Sequence, residues 1–279
     1  MTRLLYGRPV AEQVSAETKR SAAALSGQGR TPALMIVSAG ADPSASTYLG
    51  RLARDGRAAG ILVRHQALPR DADDQAIRGA LEACGEDELV SGVLLLTPLP
   101  PGIELASVAL AIPPTKDVEG MHPLNAGFLA AGRPRFVPTT AAAVIALLRH
   151  YGIALRGSRV TVVGRSAVFG RPLASLLLLE HATVTVAHSQ TPDLAAHTRT
   201  ADITAIGIGR AGALTGDMIA KGSVVVDAGI NLTPDGIVGD ADTASVSLVA
   251  GAYSPVPGGL GAVTTALLLR NVVLAAGTP

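Results

Sequence analysis

The stretch 160–172, Val-Thr-Val-Val-Gly-Arg-Ser-Ala-Val-Phe-Gly-Arg-Pro, constrains the fold more than any other part of the chain. A β-branched run ends abruptly at Gly164, Gly170 and Pro172 follow, and a leucine-rich segment begins at Leu173. A strand, a glycine turn and a helix start in that order present free backbone N–H groups and the positive end of a helix to a phosphate. Proline near the first helical position supports the boundary. The spacing is not Gly-x-Gly-x-x-Gly, so a plain α/β joint without a ligand stays open on the pattern alone.

The same alternation runs through the rest of the chain. Its first part predicts helix 9–25, strand 32–37 and a turn at 39–43. A helix to about residue 59, capped by Ser44 or Ser46, is followed by strand 61–65. Helix 71–84 comes next, with Asp71 or Asp73 as cap and Ile77, Leu81 and Cys84 as a buried stripe, then strand 90–96. A loop at 113–117 separates two series, and Thr139 and Thr140 cap a helix at 141–151. The second series predicts strand 160–163, helix 170–180, strand 183–187, helix 194–199, strand 203–206, a short helix at 216–220 and strand 223–227. Turn residues at 255–259 precede a last helix, 262–275, that returns to the first domain. Strands alternating with helices predict parallel sheets covered on both faces. The expected fold is two α/β domains with a cleft between them, 1–138 plus 262–279 and 139–261, the second a Rossmann-like doubly wound sheet.

Composition narrows the partners. With 279 residues, 48% apolar, the chain has material for a sizeable core; a net charge of +1 and only 3% aromatics argue against nucleic acid. No apolar run approaches the roughly 18 residues of a membrane span, and residues 1–10 lack a signal-peptide pattern. One cysteine, Cys84, excludes an internal disulfide and a Cys-x-x-Cys metal site, so a cytoplasmic protein without metal is expected.

In a doubly wound sheet the end of the second strand selects the dinucleotide. Strand 183–187 is followed by His188-Ser189-Gln190-Thr191, with no carboxylate before Asp193. Ser189 and the guanidinium of Arg165 suit a 2′-phosphate, which favours NADP over NAD. The plainer alternative makes Arg165 a solvated charge and Ser189 a helix cap.

Several blocks resemble the methylenetetrahydrofolate dehydrogenase/cyclohydrolase (FolD-type) family, in the family's order over nearly the whole chain. They are Asp42-Pro43 with Tyr48; Lys116-Asp117-Val118-Glu119-Gly120-Met121-His122-Pro123-x-Asn125-x-Gly127; Val163-Gly164-Arg165-Ser166 with Val168-x-Gly170-x-Pro172; Asp227-Ala228-Gly229-Ile230-Asn231; and Pro255-Val256-Pro257-Gly258-Gly259-x-Gly261-x-x-Thr264. The resemblance implies a homodimer that binds NADP in the second domain and a reduced folate in the cleft. It implies that Gly164, Arg165 and Ser166 cradle the cofactor, Ser189 meets its 2′-phosphate and Ile230 lies along it. It further implies that Tyr48 stacks on the folate, Glu119 anchors the pterin, and Pro257, Gly258, Gly259, Leu260 and Gly261, with Thr264, wall the place where substrate and nicotinamide meet. Tyr48 can equally be an amphipathic core tyrosine.

The sequence departs from the family at related positions. Leu52 stands where the family has a lysine, one turn after Tyr48, and Leu96 where it has a glutamine; Glu119 replaces an aspartate and Ala45 a serine. The resemblance assigns the lysine and glutamine to hydrolysis of the methenyl intermediate. Leucine has no donor, acceptor or titratable proton, and general acid–base help is worth roughly 10²–10⁴-fold. Hydride transfer needs positioning instead. The expectation is an NADP-dependent dehydrogenase with cyclohydrolase activity weak or lost. The alternatives are an ordinary bifunctional enzyme, with Arg51 doing the lysine's work; a reductase or dehydrogenase for another C=N or C–N compound; and a non-catalytic folate or NADP binder.

Overall fold

The computed structural model describes residues 2–40 and 43–277, the side chains of 43–47 excepted. Asp42 and the side chains of Ser44, Ala45 and Ser46, named above, lie outside the described residues. In chain order the elements begin β1 (Arg3–Leu4), α1 (Gly7–Ser26), β2 (Ala33–Ala39), α2 (Pro43–Ala58), β3 (Leu62–Leu68), α3 (Asp74–Glu86) and β4 (Gly92–Leu96). Then come α4 (Leu105–Val108), α5 (Pro123–Ala130), α6 (Thr139–His150), β5 (Arg159–Val163), α7 (Gly170–Leu179), β6 (Thr183–Ala187), α8 (Leu194–Thr198) and β7 (Ile203–Ile206). The series closes with β8 (Val224–Asp227), β9 (Asn231–Thr233), β10 (Gly236–Val238), α9 (Thr243–Val249), β11 (Ala252–Tyr253) and α10 (Leu260–Gly277).

The chain divides into two compact α/β units, Gln13–Val137 with Thr265–Pro279 and Met1–Glu12 with Pro138–Thr264. The sequence places residues 1–12 in the first domain; the contacts place them with the second sheet. The cause is long-range: Arg3 and Leu4 pair with Ala252 and Tyr253, and the Gly7 N–H donates to the Gly258 carbonyl at 2.9 Å. Nothing local in a two-residue strand announces that partner.

The first unit is built on a parallel sheet of order β3-β2-β4. Alternation sends Leu34, Ile36 and Leu94 to one face, against Leu52, Val118, Phe136, Leu268 and Val272. Val37, Ala39, Val93 and Leu95 point to the other, against Ile77, Leu81, Cys84 and Val108. Burial on both faces explains why these strands read as continuous apolar runs. Asp73 caps α3, its carboxylate accepting the Ala76 N–H at 2.8 Å. Thr139 and Thr140 are not caps: α6 begins at Thr139, and its cap residue is Pro138, with no side-chain bond. The apolar run at the carboxyl end is also longer than the sequence reading allows. By length and composition α10 is sufficient to cross a membrane, but most of it is buried inside the protein, which is how a core helix reads.

The second unit carries a parallel sheet of order β1-β11-β8-β7-β5-β6. After β5 the chain goes first to β6 on one side and then to β7 on the other. The strand order therefore reverses at the carboxyl ends of β5 and β7, where open α/β sheets bind ligands.

Candidate functional site

In the first unit, α2 places Tyr48 and Leu52 one turn apart on its inward face, because residues four apart share a helix face. Gly56 lets the helix lie close to the sheet: a Cβ there would stand 2.5 Å from Val63 Cγ2. Leu52 is fully buried, and Tyr48 and Leu96, both half-buried, pack on the same apolar cluster. Leu96 also lines a cavity of about 180 Å³ at the carboxyl ends of β2 and β4, with Ser38, Arg70, Thr97 and Pro98. Arg51, the alternative to a lysine, is partly exposed and pairs with Asp55 at 3.7 Å.

The loop carrying Glu119 is held from several sides. Lys116 Nζ donates to the carbonyls of Gly85 and Asp87, both at 2.7 Å. The buried Asp117 carboxylate accepts the N–H groups of Met121 and His122 and the Asn125 amide, at 3.0, 2.8 and 2.8 Å. Asn271 of α10 donates to the Val118 carbonyl at 2.8 Å. Lys116 and Asp117, the polar residues that open the Lys-Asp-Val-Glu-Gly block, are thus engaged in holding the loop. Burial raises the Tyr48 hydroxyl above the usual tyrosine range; the charge of Glu119 adds to the rise and that of Arg51 opposes it. Glu119 and Arg51 therefore each lie within electrostatic reach of Tyr48.

In the second unit, the residues singled out for the cofactor follow the carboxyl ends of the strands, Gly164, Arg165 and Ser166 after β5, Ser189 after β6 and Ile230 after β8, and 257–261, singled out for the substrate, follow β11. Gly164 has φ +128°, and a Cβ there would stand 2.6 Å from the Gly207 carbonyl oxygen; one on Gly170 would overlap Gly164 itself. The two glycines let the β5–α7 loop pack closely against the residues after β7 and on itself at the start of α7. Arg165 is exposed and makes no hydrogen bond or ion pair among the described residues. Ser189 is exposed in a turn and is not a helix cap: Asp193 caps α8, accepting the Ala196 N–H at 3.1 Å. Ile230 is 67% exposed, a large apolar side chain left uncovered beside this edge. Leu260 and Gly259 are buried, Pro257 and Gly258 exposed, and the Thr264 hydroxyl is bonded back to the Gly261 carbonyl at 3.0 Å.

Two carboxylates that the sequence reading did not single out organise this edge. Asp227, at the end of β8, accepts the N–H groups of Gly229, Asp240 and Ala241 at 2.8, 3.1 and 2.8 Å. Burial raises its carboxyl to about 6 against the pull of those donors. Asp240, fully buried, accepts three successive N–H groups after β7, those of Ile208, Gly209 and Arg210, and the Asn231 amide. Asp227 lies within the Asp-Ala-Gly-Ile-Asn block, so its link to Gly229 was readable; Asp240 reaches donors some 30 residues upstream, and no spacing signals that.

Comparison with known proteins covers both units. The family model for the catalytic domain of tetrahydrofolate dehydrogenase/cyclohydrolase matches residues 5–119, and that for its NAD(P)-binding domain matches 138–278. The bifunctional protein FolD of Nocardia farcinica is 48% identical over 98% of this chain and 96% of its own. Among solved structures, the bifunctional FolD enzyme of Campylobacter jejuni superposes with a TM-score of 0.95 at 35% identity, over 99% of both chains. The Trypanosoma brucei enzyme, solved with NADP cofactor and an inhibitor, gives 0.92 at 33% identity over 99% of this chain and 97% of its own. A chain matched across both domains at these identities belongs to the tetrahydrofolate dehydrogenase/cyclohydrolase family.

Proposed function

We propose that the protein is an NADP-dependent dehydrogenase of 5,10-methylenetetrahydrofolate whose methenyltetrahydrofolate cyclohydrolase activity is weak or lost. The observation that carries the second half is Leu52: fully buried, one turn from Tyr48, in one apolar cluster with Leu96. Neither side chain can activate water or hold it. Replacing both members of a polar pair leaves no buried group without a partner, so the apolar pocket is internally consistent.

The tight glycine loop at Gly164 and Gly170, at the start of α7 and with the exposed Arg165 beside it, suits a dinucleotide phosphate. When bound, NADP supplies the acceptor for the substrate's hydride. The residues of this chain position rather than react. Gly164 and Ser166 hold the pyrophosphate region, Arg165 and Ser189 the 2′-phosphate, Ile230 one side of the cofactor, and the 257–261 loop the junction with substrate. Tyr48 stacks on the folate and Glu119 hydrogen-bonds its pterin. The protein works as a homodimer, as its resemblance to the family implies, and in the cytoplasm, which the buried free thiol of Cys84 supports.

The test is to supply methylenetetrahydrofolate and NADP and follow absorbance. Methenyltetrahydrofolate accumulates if the reading holds. Prompt conversion to the formyl product refutes the loss of hydrolysis, and absence of turnover with NADP still bound refutes the folate substrate.

A further inference from the structure

The sheet face that carries Leu34, Ile36, Leu94 and Leu96 also carries a polar pair. Registry sets Ser38 of β2 beside Leu96 of β4, and His65 of β3 beside Ile36. Ser38 is buried, and its Oγ lies 2.9 Å from His65 Nε2; the histidine itself is exposed. Ser38 and Leu96 both line the cavity at the carboxyl ends of β2 and β4. Ser38 thus lines the pocket beside Leu96, and its hydroxyl is tied to an imidazole open to solvent. Imidazole is the side chain best suited to take and return a proton near neutral pH. Packing alone would be satisfied by an apolar residue at position 38, as at 34 and 36 on the same strand face.

We propose that Ser38 and His65 form the proton-handling pair of this pocket, and that the hydrolysis surviving the two leucines runs through them; this rests on the reading that the pocket receives the folate. With the ring proton on Nδ1, the Ser38 hydroxyl donates to Nε2. A water held at Ser38 Oγ attacks the methenyl carbon. As the C–O bond forms, the water gives a proton to Oγ and Ser38 passes its own to His65, leaving a neutral carbinolamine and a charged imidazole. The bond from that carbon to one bridging nitrogen then breaks. The nitrogen recovers the proton from His65 by way of Ser38, the carbinol hydroxyl releases its proton to solvent, and the formyl C=O is left. Cation plus water has become neutral formyl product plus one proton.

The experiment measures hydrolysis of methenyltetrahydrofolate and hydride transfer from methylenetetrahydrofolate in the parent, Ser38→Ala, His65→Gln and His65→Ala. The ratio of hydrolysis to hydride transfer falls roughly tenfold or more in all three variants, the low end of general acid–base effects. Glutamine keeps hydrogen-bonding capacity toward Ser38 without a basic nitrogen, so it separates proton transfer from packing. Added imidazole restores hydrolysis in His65→Ala, where the vacated site is open to solvent, and not in Ser38→Ala. An unchanged ratio, both rates falling together, no effect of imidazole on His65→Ala, or parent hydrolysis no faster than in buffer each overturns the pair. Fast hydrolysis by the parent overturns the earlier reading instead, and the ratios in the variants still decide whether Ser38 and His65 carry it.

Discussion

Restoring the polar pair, with Leu52→Lys and Leu96→Gln together, should return hydrolysis to the protein. The stability cost comes mainly from position 52. That side chain is fully buried in the cluster of Leu34, Ile36 and Leu268, where a leucine-to-alanine change costs about 2–5 kcal/mol. A lysine stem retains part of that contact, and its ammonium escapes burial only by reaching the pocket edge. Glu119, close enough for its charge to raise the Tyr48 hydroxyl, lies in that neighbourhood and offers the ammonium a counter-charge. The net loss should be about 2–4 kcal/mol at position 52, and less at the half-buried Leu96. Against this stands a gain of roughly 10²-fold or more in hydrolysis, about 3 kcal/mol in barrier height. The singles should fall short of the double by more than a simple product, since the amide has nothing to orient without the amine. Denaturant midpoints establish that each variant is folded, and accumulation of methenyl product under NADP reports the chemistry. A folded, NADP-binding double variant that still accumulates methenyltetrahydrofolate as the parent does refutes the assignment of positions 52 and 96.

Two further outcomes follow from the second unit. Arg165→Ala should weaken NADP binding about 10–100-fold, the worth of a charge-assisted bond to a phosphate, and leave NAD affinity nearly unchanged; equal losses for both dinucleotides in a binding titration would remove Arg165 from the 2′-phosphate. Asp227→Asn should destabilise the protein by about 1–3 kcal/mol at neutral pH, because its amide turns a donor toward one of three N–H groups. The parent carboxyl, raised from an ordinary value near 4 to about 6, contributes stability that is full below pH 4 and lost as pH rises through 6. Between pH 4 and 7 the parent should therefore lose about 2 kcal/mol of stability that the variant does not lose; a constant gap in urea unfolding shows that Asp227 does not titrate there.

The elements that could be read from sequence are those whose signal is local. Strands 183–187 and 203–206 fall on the observed β6 and β7 because short β-branched runs are bounded on both sides by turn residues. The β9–β10 hairpin has a local signal too, with Pro234-Asp235-Gly236 between two apolar pieces. Helices α5 and α9, absent from the expected elements, also carry local signals, since His122 and Asp242 cap them with side-chain acceptors. β1 and β11 could not be found this way: two residues have no period, and their identity comes from pairing across nearly the whole chain. The same division runs through the site. Tyr48 and Leu52 face one way because they are four residues apart on a helix, which spacing shows. Ser38 meets His65 across a sheet register, and Asp240 collects N–H groups from another strand's loop, which spacing does not show.

If Leu52 and Leu96 stand in place of a lysine and a glutamine, as proposed, the pair should resist reversal one residue at a time. A lysine there needs a polar neighbour at 96 and a way out to solvent; a glutamine at 96 needs a charged group at 52 to orient. Leu52→Lys alone places an ammonium in a cluster that includes Leu34, Ile36 and Val272, where a poorly partnered buried group costs about 1–3 kcal/mol, and Leu96→Gln alone sets an amide at the cavity edge with no amine to orient. On the proposed reading the apolar pair is a local optimum: both single variants should be less stable than the parent, and neither should reach the hydrolysis of the double variant. Hydride transfer sits outside this trap, because the groups proposed to position the cofactor belong to the edge of a different sheet, held by Asp227 and Asp240 and sharing no side chain with the leucine cluster. Loss of one activity with retention of the other is therefore what the separation of these two sets of residues permits.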